Sequence, residues 1–343
     1  MNTNSHPEAA ITAVEYALPA RVLGNEELAA EFAGWTAEKI FAKTGIRERR
    51  IVAEGEYASD LAVAAANRLF ASGAGVREEI DYVLYCTQSP DHYLPTTACV
   101  LQDRLQLKTS CGALDFNLGC SGFIYGLGLA AGLVRSGQAR RLLLLNADTY
   151  SRFLHPLDKS VRTIFGDAAT ATLISAVESE TASIGPFVYG TDGRGAGNLI
   201  VPAGGMRKPN SPDAPLISDD SGNARTENNL FMNGAEIFNF TLRTVPETVN
   251  RLFAKAELKM EDIDLFIFHQ ANQFMLDHLR KKLKVPEDRY WVAMSDVGNT
   301  VSCTIPIALK RAIDAGKVKS GMRLMLVGFG VGYSWGATLV RWL

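Results

Sequence analysis

The sequence predicts an α/β protein made of two similar halves, each a mostly parallel sheet held between helices. Internal repetition is the first observation behind this. Residues 78–88 and 261–270 share an acidic lead-in, an Ile-Asp pair and a four-residue apolar strand ending in a polar group. One offset of 183 residues carries Cys86 onto His269 and Cys120 onto Cys303. Cys120 and Cys303 each open an apolar helix; these helices end near Gly137 and Gly316 and lead through basic residues into strands at 142–145 and 324–327. Gly166 to Leu173 is then echoed by Gly336 to Val340. Four matches in one order indicate a duplication. The second observation is that the strands are continuous apolar runs rather than alternating ones, the pattern of strands buried on both faces. Strands of that kind alternating with helices imply two α/β halves related by a pseudo-twofold axis.

The elements follow in order. In the first half, strand 82–85 precedes a short strand at 114–118 that reads as buried, and Cys120 then opens a helix rich in small residues. Strand 142–145 and the run from Gly166 complete that half, and the boundary falls in 178–183, giving halves of residues 1–178 and 179–343. In the second half, strand 265–268 ends on His269, which opens a helix over 270–284. Strand 291–294 leads into a loop, 295–300, that contains Asn299. Residues 206–229, rich in Pro, Asp, Ser, Asn and Gly, break the pattern and read as a long loop. A loop of this length is either a surface insertion or a lid or wall of a pocket.

Composition sets the outer limits. Of 343 residues, 47% are hydrophobic and 21% charged, as in an ordinary globular chain with a large core. A formal net charge of −2 gives no reason to expect nucleic acid or a membrane surface as partner. No apolar run approaches the roughly 20 residues of a membrane span, and residues 1–9 lack the apolar core of a signal peptide. Five cysteines without regular spacing or a Cys-x-x-Cys pair argue against a disulfide framework and structural zinc. A reducing, cytoplasmic setting is expected.

Chemistry centres on Cys120. At the junction of a strand and a helix N-terminus, unpaired N–H groups and the macrodipole favour a thiolate. A lone cysteine is more often a small buried hydrophobe, and His269 or Asn299 alone would pass for structural and turn residues. The three together change that reading. The glycine-rich run 328–332 lacks the spacing of a dinucleotide fingerprint.

Several motifs at once resemble the thiolase superfamily, and within it beta-ketoacyl-acyl-carrier-protein synthase III. They are Thr44-Gly45-Ile46-Arg47-Glu48-Arg49, Gly119-Cys120-Ser121-Gly122-Phe123, Phe165-Gly166-Asp167, His269-Gln270-Ala271-Asn272, Gly298-Asn299-Thr300 and the ending from Gly328-Phe329-Gly330 to Trp335-Gly336. The resemblance spans nearly the whole chain. It implies the thiolase-like five-layer αβαβα arrangement of duplicated halves, a homodimer joined near Asp115 to Leu118, no metal or cofactor, and acyl carrier protein as partner. It implies that Cys120 takes an acyl group from coenzyme A or a carrier and that a malonyl-carrier thioester then loses CO2. His269 and Asn299 would meet the enolate oxygen, and the backbone N–H groups of Cys120 and Val331 the second oxyanion. Leu94 would reach a partner's acyl tunnel, and Phe165 would lie by the substrate. The product would be a 3-oxoacyl thioester for fatty-acid or specialised-metabolite synthesis.

Three positions depart from the family. Coenzyme A-using members commonly stack adenine between a tryptophan and an arginine; here Lys39 and Lys159 stand there, and neither offers a flat face. Trp35, one helical turn from Lys39, is a candidate substitute. A carrier-docking arginine is replaced by Phe274, which shares a helix face with Lys281, beside Lys282. Val331 stands where glycine is usual. Two alternatives remain: acyl transfer to an alcohol or amine without decarboxylation, which has less need of Asn299, and a silent partner subunit, which has little need of Cys120. A biosynthetic thiolase is disfavoured because the glycine-rich turn carries no second cysteine.

Overall fold

The computed structural model describes residues 7–179 and 181–343; residues 1–6 of the stretch inspected for a leader, and residue 180 in the expected boundary, lie outside them. Five strands form the first sheet, in the order Pro7–Ala17, Ala168–Glu178, Arg141–Asp148, Tyr82–Cys86, Gly112–Phe116. The first two junctions are antiparallel and the last two parallel. The second sheet runs Ile184–Thr191, Ser334–Arg341, Arg323–Gly330, Leu265–Phe268, antiparallel twice and then parallel. Beyond Phe266 a single parallel bridge to Tyr290 occupies the place of a fifth strand. The two sheets thus share order and direction. Each is mixed rather than mostly parallel, because Ala168–Glu178 and Ser334–Arg341 run back against their neighbours.

Successive strand residues face opposite layers, and the core divides accordingly. Leu142, Leu144, Leu324 and Leu326 point to the middle, where they meet helices Gly122–Arg135 and Thr304–Asp314. Leu143 and Leu145 face outward onto helix Ala58–Ala71. Met325, Val327, Phe266 and Phe268 face outward onto helices Gly234–Ala256 and Gln273–Leu283. Helix, sheet, helix pair, sheet, helix: these are the five layers of a thiolase-like fold, with the long apolar runs explained by burial on both faces.

Local differences from the sequence reading have physical causes. Helix Gln273–Leu283 begins three residues later than expected because Asn272 caps it, its side chain accepting the Met275 N–H. His269 is therefore left on a connection rather than wound into a helix. Gly112–Phe116 is an edge strand, half-buried, with Leu114 44% exposed, because no strand among the described residues pairs its outer side. Residues 291–294 make no ladder. The segment 206–229 contains a small hairpin, Ile217–Ser218 against Ala224–Arg225, which lies along 153–159 through Ala224 N–H to the Leu157 carbonyl.

Candidate active site

The site forms where strands of both sheets end. Phe116 leads through three residues to Cys120, Phe268 is followed by His269, and Gly330 by Val331. Ends of parallel strands are open to ligands because the chain there turns away into loops. Cys120, His269 and Asn299 line one cavity of about 70 Å³, with Phe165, Phe329 and Gly330. A larger groove of about 610 Å³, lined by Arg135, Lys255 and Arg323 among others, contains none of the three.

Cys120 precedes helix Gly122–Arg135 and is 5% exposed. The backbone N–H groups of Cys120 and Val331 act on its sulfur and favour the thiolate. Burial outweighs them, and the nearby Asp148 carboxyl adds to it, so the thiol is pushed up to about 12. The thiolate expected from the helix terminus is therefore not the resting form. Gly330 permits this packing: a Cβ there would lie 2.8 Å from Cys120 Cβ and Sγ. Val331, unlike Gly332, does not take a positive φ, so its backbone suits valine.

His269 is 2% exposed, and burial pulls its imidazole down to about 3, so the ring is neutral. The His269 backbone N–H donates to the Val327 carbonyl at 2.8 Å, and the ring Nδ1 lies 2.7 Å from Thr304 Oγ1. Phe329 packs edge-on against the ring at 5.4 Å. Asn299 is held at both backbone ends, its N–H donating to Ile164 O and its carbonyl accepting from Gly166 N–H. Its Oδ1 accepts the Val301 N–H at 2.9 Å, which leaves the amide Nδ2 as the donor end. Gly298 sits at φ +70°, and a Cβ there would meet Ile164 O at 2.6 Å; glycine is required for this turn.

The first motif turns out to be a buckle. Arg49 is fully buried and donates to Leu23 O, Asn25 Oδ1 and Thr163 O. Burial pulls it down to about 10. Asp167 of the Phe-Gly-Asp motif accepts from Val52 N–H and Ser151 N–H. Together they clamp the N-terminal arm onto the segment 163–167, whose Ile164 and Gly166 in turn hold the Asn299 backbone.

Other residues singled out from the sequence lie elsewhere. Leu94 is 86% exposed on a surface loop of this chain. Lys39 donates to Gly34 O and, with Lys43, covers the Trp35 ring, their Nζ atoms 5.3 and 4.9 Å from its centroid. Lys159 donates to Ser221 O in the hairpin segment. Phe274, 54% exposed, stacks on Phe238 and packs at a tilt against His278. Lys281 is exposed, and Lys282 reaches Leu242 O. None of Lys39, Lys159, Phe274, Lys281 or Lys282 lines the cavity. Sequence reasoning passed over Asp148 and Thr304. An acid inside the buried strand Arg141–Asp148 was the available signal for the first. A hydroxyl opening the helix beside the Asn299 loop was the signal for the second.

Comparison with known proteins agrees with this geometry. Residues 114–193 match the family model for 3-oxoacyl-[acyl-carrier-protein] synthase III, and residues 253–342 match that for its C-terminal part. The beta-ketoacyl-[acyl-carrier-protein] synthase III of Clostridium perfringens is 36% identical over 324 residues, covering 94% of this chain and 96% of its own. The chain belongs to the synthase III family. Its structure is similar to a crystal structure of 3-oxoacyl-(acyl-carrier-protein) synthase III, with 57% identity, a TM-score of 0.97 and coverage of 98% of this chain and 100% of that one. A 3-oxoacyl-(acyl-carrier protein) synthase from Burkholderia xenovorans superposes with a TM-score of 0.88 at 37% identity, covering 98% and 94%. No helix among the described residues is long and apolar enough to cross a membrane.

Proposed function

We propose that this protein is a ketosynthase that joins a Cys120-bound acyl group to a malonyl thioester by decarboxylative Claisen condensation. The observation that carries it is the convergence of Cys120, His269 and Asn299 on one cavity, with two backbone N–H groups at the sulfur. In the first half-reaction Cys120 Sγ attacks the donor thioester, and its hydrogen leaves with the departing thiol. In the second, the malonyl C–C bond breaks, CO2 departs, and the electron pair moves onto the thioester oxygen facing His269 and Asn299. The carbanion form then attacks the acyl-Cys120 carbonyl. The N–H groups of Cys120 and Val331 hold the resulting oxyanion until the C–S bond breaks and the 3-oxoacyl thioester leaves. Such donors act strongly because they are already oriented in a site poor in water.

Finer features belong to the same reading. Lys39 and Lys159 in place of flat partners, with the Lys39 and Lys43 ammonium groups against the Trp35 ring, support a donor held without adenine stacking, on a carrier protein rather than coenzyme A. Phe274 and Lys281, with Lys282 beside them, are exposed on the helix whose Met275 lines the cavity, which supports that helix as the dock for an acidic carrier. The unpaired edge Gly112–Phe116, with Leu114 and the Leu94 loop, supports a homodimer whose partner receives Leu94 and whose acyl pocket adjoins Phe165. We assign residues 1–178 and 179–343 as the duplicated halves. Five free cysteines suit the cytoplasm. The departures at Lys39, Lys159 and Phe274 point to a specialised product.

The test is intact mass after incubation with acyl-CoA and acyl-carrier thioesters, with Cys120→Ala as control and malonyl-carrier added after loading. Gain of one acyl group that needs Cys120, followed by its loss with CO2 release, is the expected result. Loading without CO2 release would instead indicate acyl transfer, and absence of loading a silent subunit. Charge reversal at Lys281 and Lys282 should raise KM for the carrier several-fold; unchanged carrier kinetics would remove the docking assignment.

A further inference from the structure

We propose that Thr304 is a positioning residue: its hydroxyl donates to His269 Nδ1 and so fixes the neutral imidazole with its one hydrogen on Nε2. The inference rests on the condensation reading for its kinetic consequence but not for its geometry. His269 Nδ1 and Thr304 Oγ1 are 2.7 Å apart. Either could hold the hydrogen between them, and the choice decides what Nε2 is. A hydrogen on Nδ1 would leave Nε2 a bare acceptor, useless to an enolate oxygen. A hydrogen donated by Thr304 leaves Nε2–H as a donor.

Two distances favour this direction. If the hydroxyl did not serve Nδ1, its other acceptor in reach is the Val301 carbonyl, at 3.1 Å. That is longer than the roughly 2.5–3.0 Å range of O–H···O bonds, whereas 2.7 Å is short for a neutral N–H···O, commonest at about 2.9–3.0 Å. The Val301 carbonyl also already accepts the backbone N–H of Thr304, so turning the hydroxyl away does not orphan it. Burial holds the ring neutral, so only one ring hydrogen remains to be placed.

The same turn fixes the second donor. Val301 N–H donates to Asn299 Oδ1, which aligns the asparagine amide with Nδ2 as its donor end. Val301 is fully buried and adopts φ +56°, a left-handed conformation that a β-branched residue takes only when its surroundings impose it. One short turn, 301–304, thus orients both side chains that are to meet the enolate: its first N–H through Asn299, its last hydroxyl through His269.

The experiment compares wild type with Thr304→Val, which keeps shape and removes the hydroxyl, and Thr304→Ser, which keeps it. Nitrogen-15 NMR on histidine-labelled protein, with His269→Asn to assign the signal, reads the tautomer directly. Cys120 acyl loading and malonyl-carrier decarboxylation are timed separately. The expected result is wild-type His269 protonated on Nε2, and a Thr304→Val protein whose tautomer shifts. In that protein decarboxylation should fall about 10- to 100-fold, below the loss typical of deleting an oxyanion donor outright, with loading retained and Thr304→Ser restoring the rate. Wild-type His269 carrying its hydrogen on Nδ1 would overturn the proposal without any variant having to fold. So would unchanged decarboxylation in Thr304→Val, or a parallel fall in both half-reactions that serine does not rescue. A wild type that releases no CO2 would count against the condensation reading alone, since the NMR result stands apart from it.

Discussion

Asp148→Asn offers a test in which stability and reactivity must move together. Asp148 is fully buried beneath the site, accepting Gln88 N–H at 2.8 Å and the Ser302 hydroxyl at 2.7 Å. Burial is the largest influence on it and pushes its carboxyl from 3.8 up to about 7 against those hydrogen bonds. A raised acid favours the folded state below its unfolded value, and that contribution is lost as pH rises through the folded value. The gap of roughly three pH units corresponds to about 4 kcal/mol lost between pH 4 and pH 7. Asparagine does not titrate, so the stability of the variant relative to wild type should rise by up to that amount over the same window. Asp167, pushed up to about 6, acts in the same direction as Asp148, while His269, depressed to about 3, loses stability as pH falls below 6.5. Both remain in the variant and cancel in the difference. Urea unfolding from pH 4 to 8 at matched protein concentration measures it. The ionised Asp148 also pushes the Cys120 thiol upward, so at pH 8 to 9 iodoacetamide should alkylate Cys120 faster in the variant. A stability difference that stays flat with pH, or unchanged alkylation, would refute the account of a buried acid that titrates near neutrality beside the nucleophile.

Two further substitutions probe the geometry. Asn299→Ala should lower malonyl decarboxylation about 100- to 1,000-fold and, by stranding the buried Val301 N–H, cost about 1–3 kcal/mol of stability; single-turnover CO2 release and thermal melting read the two effects, and an unchanged melt would show that the Val301 bond is dispensable. Gly330→Ala places a methyl group 2.8 Å from Cys120 Sγ, and a displaced thiol should slow acyl loading on the order of 100-fold; intact-mass time courses that match wild type would show that the sulfur has room to spare.

Much of this was legible because the duplication writes the same signals twice. Apolar runs at 142–145 and 324–327 are buried on both faces by the layers on either side, so they lack alternation and stand out. Cys120, His269 and Asn299 each follow a strand or lie in a turn, and it was the family resemblance that implied they act together. The thiol's acidity was not. A helix terminus is visible in a sequence, but the depth at which the helix lies is not, and here depth prevails. Thr304 and Asp148 escaped notice because their roles depend on neighbours distant in the chain: His269 is 35 residues from Thr304, and Ser302 is 154 from Asp148. The edge character of Gly112–Phe116 was hidden for a similar reason, since an apolar strand reads alike whether its cover comes from this chain or another.

The repeat also shows how one duplicated plan yields an asymmetric site. Cys86 occupies in the first half the place that His269 takes in the second, and Cys303 mirrors Cys120. Neither counterpart lines the cavity. Cys86 Sγ hydrogen-bonds Leu118 O, and Cys303 Sγ bonds Asn146 O and Ala168 O, both in the fully buried centre of the molecule. Burial pushes both thiols well above the ordinary cysteine range, which suits small packing groups rather than nucleophiles. The first half therefore supplies the sulfur, and the second supplies the His269 and Asn299 side chains. The Asp148–Ser302 bond ties the two together directly beneath them. A nucleophile and its oxyanion donors must be aligned to a fraction of an ångström, and placing them on opposite halves makes that alignment depend on the central layer. Helices Gly122–Arg135 and Thr304–Asp314 form that layer, starting two residues after Cys120 and at Thr304 respectively. Their packing against both sheets fixes the distance between the two half-sites, so the most buried part of the fold is also the part that sets the geometry of the chemistry.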